Sequence, residues 1–517
     1  MSNGSNDAIA PNAQRLLWAG FMAILAAGMG FSIRGGILGQ WATEFGFTMS
    51  ELGTITGGGL TGAGIIILIG AFMADKVGYG KLMALAFVTH FASAVLTLAA
   101  GAAFAAGGKD AAFQCLYWGM FLFAIGNGIC EAVVNPLVAT LFPGNKTHYL
   151  NILHAGWPGG LIIGGLVSYF MNPDNEKPVA WQIQMSLFLL PVILYGVMLL
   201  AQRFPKSEAS EAGVSYGEMF AQLFAPLMIV LLLIHALVGY VELGTDSWIA
   251  KITGAIMESP QKGLMLFVYT SGLMFALRFF AGPIVHRISP LGLLFVSGIL
   301  GFVGLQLLGN ADSVALCIVA ATIYSCGKTF LWPTMLAVAS ERFPKGGAIT
   351  IGAIGGMGML SAGLLGTPGI GFKQDYFASA QLKETAPAVY DRYKAANENS
   401  FVGFKTVGLD GAKVGVLEDG GKELARAGEI LKKDGKTDAQ HDALAAWWAD
   451  ATTSATEDKK SVQTAGLHGG RMALTLTSYV PLVMAVLYLL LILYFKAIGG
   501  YKAVHLASPE SLGTAES

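Results

Sequence analysis

Residues 126–143 read GNGICEAVVNPLVATLFP, inside a long apolar run that nonetheless carries an acid, Glu131. Asn127 stands one helical turn before Glu131 and Asn135 one turn after it. At about 3.6 residues per turn these three side chains share one helix face. A carboxylate deep in hydrocarbon costs about 2.5–3.5 kcal/mol even on the lenient insertion scale. The stretch is therefore a candidate functional site. Residues 324–344, YSCGKTFLWPTMLAVASERFP, repeat the theme. Setting Pro136 over Pro333 places Glu131 over Lys328, an acid and a base at matching places in two halves of a chain.

Composition supports a membrane setting. Hydrophobic residues make up 54% and charged ones 13%, where a soluble protein carries about 25% charge. The net charge of -1 lacks the basic excess that nucleic-acid binding needs. Cys115, Cys130, Cys317 and Cys326 all lie in apolar runs and read as small packing residues, without disulfide or metal. The start, MSNGSNDAIAPNAQ, is polar and lacks the basic opening of a cleaved signal. The first apolar run reads as a retained span.

About twelve apolar runs are long enough to cross a bilayer as helices. The first six are Leu16–Leu38, Leu52–Met73, Leu82–Phe104, Phe113–Leu141, Leu150–Met171 and Ala180–Ala201. The second six are Pro226–Leu243, Gly263–Ala281, Leu291–Leu308, Ala315–Leu336, Ala348–Gly369 and Met472–Phe495. With the N-terminus inside, inner segments hold Arg15, Lys76, Lys81, Lys146, Arg203, Lys206, Arg287, Arg342, Lys345, Lys496 and Lys502. The short outer loops hold Lys109, Lys177, Lys251 and Lys262. That bias predicts both termini in the cytoplasm.

The expected organisation is a tail over 1–14, a six-helix bundle over 15–203 and a cytoplasmic connector over 204–222. Five further spans follow over 223–372, then a polar insertion over 373–470, the last span over 471–496 and a tail over 497–517. The two halves look duplicated. AFMADKVGYGK (71–81) and GPIVHRISPLG (282–292) each follow the second span of a half. They put Asp75-Lys76 and His286-Arg287 in the same place, four residues after Ala71 or Gly282. The insertion alternates charges, as in KELARAGEILKKDGK (422–436), and contains Trp447-Trp448. It reads as a small helical cap on the outer side, with a flexible tether as the alternative.

ADKVGYGK (74–81) resembles the signature loop of the major facilitator superfamily, with Ala71 replacing the usual glycine. CEAVVNPLVATLFPGNKTHYLNILHAGWPGG (130–160) is similar to the fucose–proton symporter branch in its acid on span 4, its Asn-Pro, and its Leu-Asn-x-x-His opening of span 5. The resemblance implies an all-α membrane protein. It would have two pseudo-symmetric six-helix bundles around a cavity that opens to each side in turn, with Glu131 as the protonatable carboxylate. The insertion is not part of that pattern. The branch also carries a second acid on span 1, where this chain reads GFSIRGGILGQW (30–41) and Arg34 stands near that place.

From the residues themselves, Glu131 is either a proton carrier or the partner of Arg34 or Lys328. Lys328 shares a face with Tyr324 and Trp332. Arg34 either enters the cavity or snorkels. On span 5, Asn151, His154 and Pro158 share a face, and His154 either lines the cavity or caps a neighbouring helix. On span 7, His235, Glu242 and Asp246 share a face near the outer mouth and are candidates for gating, as are Asp75, Lys76, His286 and Arg287 on the inner side. Trp157 and Trp332 either stack on a sugar ring or pack. His90 and Arg278 read as structural, with Arg278 bracing the inner loop.

GAIGGMG (352–358) and VGYGKL (77–82) imitate phosphate loops, but the first sits inside an apolar span and the second lacks the following Ser or Thr. No zinc spacing or nucleophile elbow occurs, so neither catalysis nor a cofactor or metal is expected. The expectation is a secondary transporter of a small polar solute, foremost a sugar or sugar derivative, coupled to protons. It would work as a monomer in a bacterial-type inner membrane. The alternatives are transport of an organic anion such as a sugar acid, and a non-transporting sensor whose cap binds ligand.

Overall fold

The structure, a computed structural model, describes residues 10–47, 49–56, 58–171, 179–433, 435, 437–504 and 506. Lys177, residues 1–9 and residues 507–517 lie outside them. Among the described residues, eleven helices are long and apolar enough to cross a bilayer. Spans 1–6 are Ala13–Phe45, Glu51–Val77, Tyr79–Leu98, Ala100–Leu141, Lys146–Met171 and Trp181–Leu199. Span 7 is Pro226–Ile256, span 9 Ala281–Gly309, span 10 Val314–Arg342 and span 11 Pro344–Thr385. Span 12 is Tyr479–Ala497, directly preceded by Ala455–Thr477. Span 8, Pro260–Arg278, completes the set. Its Gln261, Lys262 and Arg278 leave it less apolar than the others.

Two backbone breaks fall in the gaps between apolar runs read from the sequence, at 104–113 and at 281–291. Gly108 breaks the helix Ala100–Leu141 with a φ of 71°, so the helical residues before it go with span 3 and those after it make span 4. Ser289 breaks span 9 with a φ of 67°. Pro290 follows it, and the residue before a proline is driven out of helical geometry.

Bare backbone lets the helices approach closely. A Cβ on Gly160 would lie 2.2 Å from the Leu25 carbonyl oxygen, and one on Gly156 2.4 Å from that of Phe21, so spans 1 and 5 touch along their length. Gly304 against Tyr324 does the same for spans 9 and 10. The two halves meet where span 2 lies along span 11 and span 5 along span 8.

On the side where span 1 begins, the halves are tied shut. Thr147 of span 5 donates to Glu341 of span 10 at 3.0 Å, and Tyr501, past span 12, donates to the same carboxylate at 2.7 Å. Lys146 pairs with Glu208 of the connector at 2.8 Å. Ser210 donates to Asp75 at 3.2 Å, and Lys76 lies 3.9 Å over the Tyr216 ring. In the connector, the hydroxyl and N–H of Ser215 hold the Glu218 carboxyl below its ordinary pKa.

The insertion stands on the opposite side. It is helical, with one element the sequence reading lacked: a hairpin pairing Asn399–Phe401 with Phe404–Thr406. It also starts later than expected, because the helix of span 11 runs on to Thr385. Helices Gly411–Asp419, Lys422–Lys433 and Ala439–Ala451 follow the hairpin. Leu382, Tyr393, Leu417 and Val462 form a separate small core, with Trp447 and Trp448 packed against it. Arg392 clamps Asp458 through two nitrogens. The cap also reaches across to the other half. Arg426 donates to the Ala42 carbonyl at the far end of span 1 at 3.0 Å, and Ile430 lies over Gly46.

Candidate functional site

A cavity of about 650 Å³ lies between the halves. Its floor is set by Glu131, His154, Arg278 and Trp332. Its walls rise past Arg34 and Asp246 to Thr56, Ala250 and Thr367 in the outer parts of spans 2, 7 and 11. The cavity therefore runs toward the cap side, and the terminal side is closed beneath it.

Three prolines organise the floor. A proline inside a helix lacks an N–H, so the carbonyl four residues earlier loses its usual donor. Pro158 does this to His154 and Pro333 does it to Thr329. Arg278 serves both: its Nη1 donates to the His154 carbonyl and its Nε to the Thr329 carbonyl at 2.9 Å. Its Nη2 pairs with Glu242 at 3.1 Å, and both side chains are buried. One guanidinium thus joins spans 5, 7, 8 and 10 across the boundary between the halves. Arg278 is a buried residue of the cavity floor, and the reading of it as an inner-loop brace is corrected. The signal for it was in the sequence, in the two prolines that each leave a carbonyl to be satisfied.

The third proline, Pro136, follows Asn135 in span 4. The Asn135 amide nitrogen donates to the Glu131 carboxylate and to the Glu131 carbonyl, both at 2.8 Å, and its oxygen pairs with His154 Nε2 at 2.8 Å. Glu131 and Asn127 line the cavity, whereas Asn135 is buried beside it. Asn127 accepts from the His90 ring at 2.9 Å, and His90, fully buried, meets Tyr195 at 3.0 Å.

The ion pairs differ from the expected ones. Lys328 pairs with Asp246, not with Glu131. Among the described residues Glu131 makes no ion pair, and neither does Arg34. Glu242 and Asp246 stand lower than an outer mouth, in the cavity wall at the level of the ion pairs. Glu242 sits on a π-turn, Tyr240–Gly244, that swells span 7 against a matching one in span 11, Ala362–Gly366. Such turns often mark functional sites. Arg34 is buried rather than snorkelling, with its guanidinium 4.0 Å from the Phe123 ring centre and 5.0 Å from that of Phe188.

Of the remaining candidates, Trp157 and Trp332 line the cavity, and Trp332 packs edge-on to His235 at 4.6 Å. His235 is fully buried behind that ring. Tyr324 is off the cavity wall; its hydroxyl donates to the Val241 carbonyl at 2.9 Å. Asn151 lies below the floor, donating to Thr147 and Thr334 at 2.8 and 3.2 Å. His286 and Arg287 are exposed at the terminal side.

The family model of the Major Facilitator Superfamily matches residues 20–367. A curated relative, the cis,cis-muconate transport protein of Acinetobacter baylyi, is 23% identical over 181 residues. That match spans 34% of this chain and 40% of the relative, so this chain aligns with less than half of it. Among solved structures, the E. coli fucose:proton symporter superposes with a TM-score of 0.57 at 16% identity, over 70% of this chain and 91% of that one. The proton:xylose symporter XylE gives 0.57 at 13% identity, over 72% and 90%. At these identities the likeness is one of fold.

Proposed function

Because this chain belongs to the Major Facilitator Superfamily, and is an integral membrane transporter rather than an enzyme, we propose that it carries a small hydroxylated organic solute, a sugar or sugar derivative, by proton-coupled alternating access. The observation that carries this reading is a cavity between two halves, closed on one face, with an acid on its floor that makes no ion pair among the described residues. The sugar-size solute is supported by the mixture of amide, carboxylate and tryptophan surfaces around that floor. The names of the fucose and xylose symporters point the same way.

Glu131 is the proposed proton site. When ionised it is held by the Asn135 amide, which also holds His154, whose carbonyl is held by Arg278 from the other half. Protonating Glu131 replaces a charge-assisted hydrogen bond by a neutral one of about half the strength. That loosens the chain of contacts joining the halves when a solute is present to replace them. Asp75, Lys76 and the Glu341 cluster close the terminal side and part when the halves rock. The termini are assigned to the cytoplasm by the distribution of lysine and arginine, in an inner-membrane protein working as a monomer.

Glu131→Gln is the test. In vesicles with an inward proton gradient, the variant is expected to lose accumulation of solute while keeping solute exchange. Accumulation at the wild-type level would remove Glu131 from coupling.

A further inference from the structure

Two of the three cations around the cavity are already committed, Arg278 to Glu242 and Lys328 to Asp246. Arg34 is not. Its side chain is 1% exposed and lies in the cavity wall. Its acceptors are neutral, the Gly30 carbonyl at 3.2 Å and the Ser93 hydroxyl at 2.8 Å. Ser93 in turn donates its hydroxyl to the Gly119 carbonyl at 2.7 Å, so its orientation is fixed by a second bond. Among the described residues, the Arg34 Nε has no acceptor. A guanidinium cannot shed its proton in a protein, and a buried charge without a partner is costly. The one carboxylate left over, Glu131, is held by Asn135 and makes no ion pair with Arg34.

We infer that Arg34 seats a carboxylate of the solute, which makes the solute a monoanionic sugar acid such as a uronate or aldonate rather than a neutral sugar. The inference rests on the transport reading above and narrows its substrate. A planar guanidinium matches a carboxylate with paired N–H groups, and the Phe123 and Phe188 rings keep water off that bond. One uncommitted cation calls for one negative charge, not the two of a phosphate monoester. With a proton on Glu131 and a carboxylate on Arg34, every ionisable group of the cavity is paired or neutral, so the cavity can close without burying a lone charge. One proton and one monoanion also move no net charge.

The test uses purified protein in proteoliposomes with an inward proton gradient. Glucuronate is expected to be taken up and to compete at least about tenfold better than glucose. Its uptake should follow the pH gradient and ignore an imposed potassium diffusion potential. Arg34→Gln should lose about tenfold or more in glucuronate affinity with glucose unchanged, and Arg34→Lys should keep part of the preference. If Arg34→Gln does not fold, the potential measurement on the wild type decides alone. Glucose competing as well as glucuronate, glucose 6-phosphate competing better, or uptake that responds to the potential would each overturn the Arg34 assignment and leave transport standing. Uptake of none of these solutes would overturn both.

Discussion

At the scale of single residues, Arg278 is the side chain whose removal does most. Arg278→Met would leave Glu242 buried without its partner and two proline-orphaned carbonyls without donors, a loss of about 3–5 kcal/mol. The thermal midpoint of the purified protein should fall accordingly. Arg278→Lys should recover only part, because one ammonium cannot reach three acceptors on different helices. Adding Pro158→Ala to the lysine variant returns an N–H to the His154 carbonyl and should restore some of the midpoint. No such gain is expected if Arg278 acts only through Glu242. The sequence held the elements of this site unevenly. Glu131, Asn127 and Asn135 could be placed on one face because helical periodicity alone decides it. The partner of Lys328 could not, since Asp246 and Glu131 are equally plausible from spacing and only the three-dimensional rotation of spans 4 and 7 separates them. Arg278 was legible in principle, through Pro158 and Pro333, to a reader who asks where each orphaned carbonyl finds its donor.

At the scale of helices, the close pairs set what can be changed. Gly160→Val would push side-chain atoms into the Leu25 carbonyl 2.2 Å from its Cβ position, forcing spans 1 and 5 apart. Overpacking of this kind costs about 1–3 kcal/mol. Gly35→Ala, where a Cβ meets nothing within 4 Å, should leave the thermal midpoint unchanged. A comparable loss at both positions would show that the close contact at Gly160 is not what governs, since alanine and valine are both better helix formers than glycine. All twelve spans could be read from the sequence because each is a long, mostly apolar run. The breaks at Gly108 and Ser289 lie in the gaps between those runs, after Phe104 and just before Leu291. The hairpin of the cap escaped because its strands are only three residues each, too short to show alternation.

At the scale of the whole molecule, the closed terminal side and the cap contact describe one state of the cycle. The cap grows from spans 11 and 12 yet holds the far end of span 1 through Arg426 and Ile430. When the outer ends approach one another, that contact has to slide. A cross-link between cysteines introduced as Ala42→Cys and Arg426→Cys should therefore hold the cavity on the cap side and stop transport, with a reductant restoring it. Transport undiminished in the cross-linked protein would mean that the cap rides with both halves. The doubling of the chain and its two bundles were legible, because matched motifs survive in sequence. The direction in which the cavity faces was not, since both states use the same residues.

The cap has its own core and joins span 11 through one unbroken run, Thr367–Thr385, and span 12 through another, Ala455–Thr477. An antibody fragment gripping Gly411–Asp419, away from Arg426, would be carried like a mast on the C-terminal half. In single-particle images its tilt against the micelle would report the swing of that half in a molecule otherwise too small and too featureless to orient.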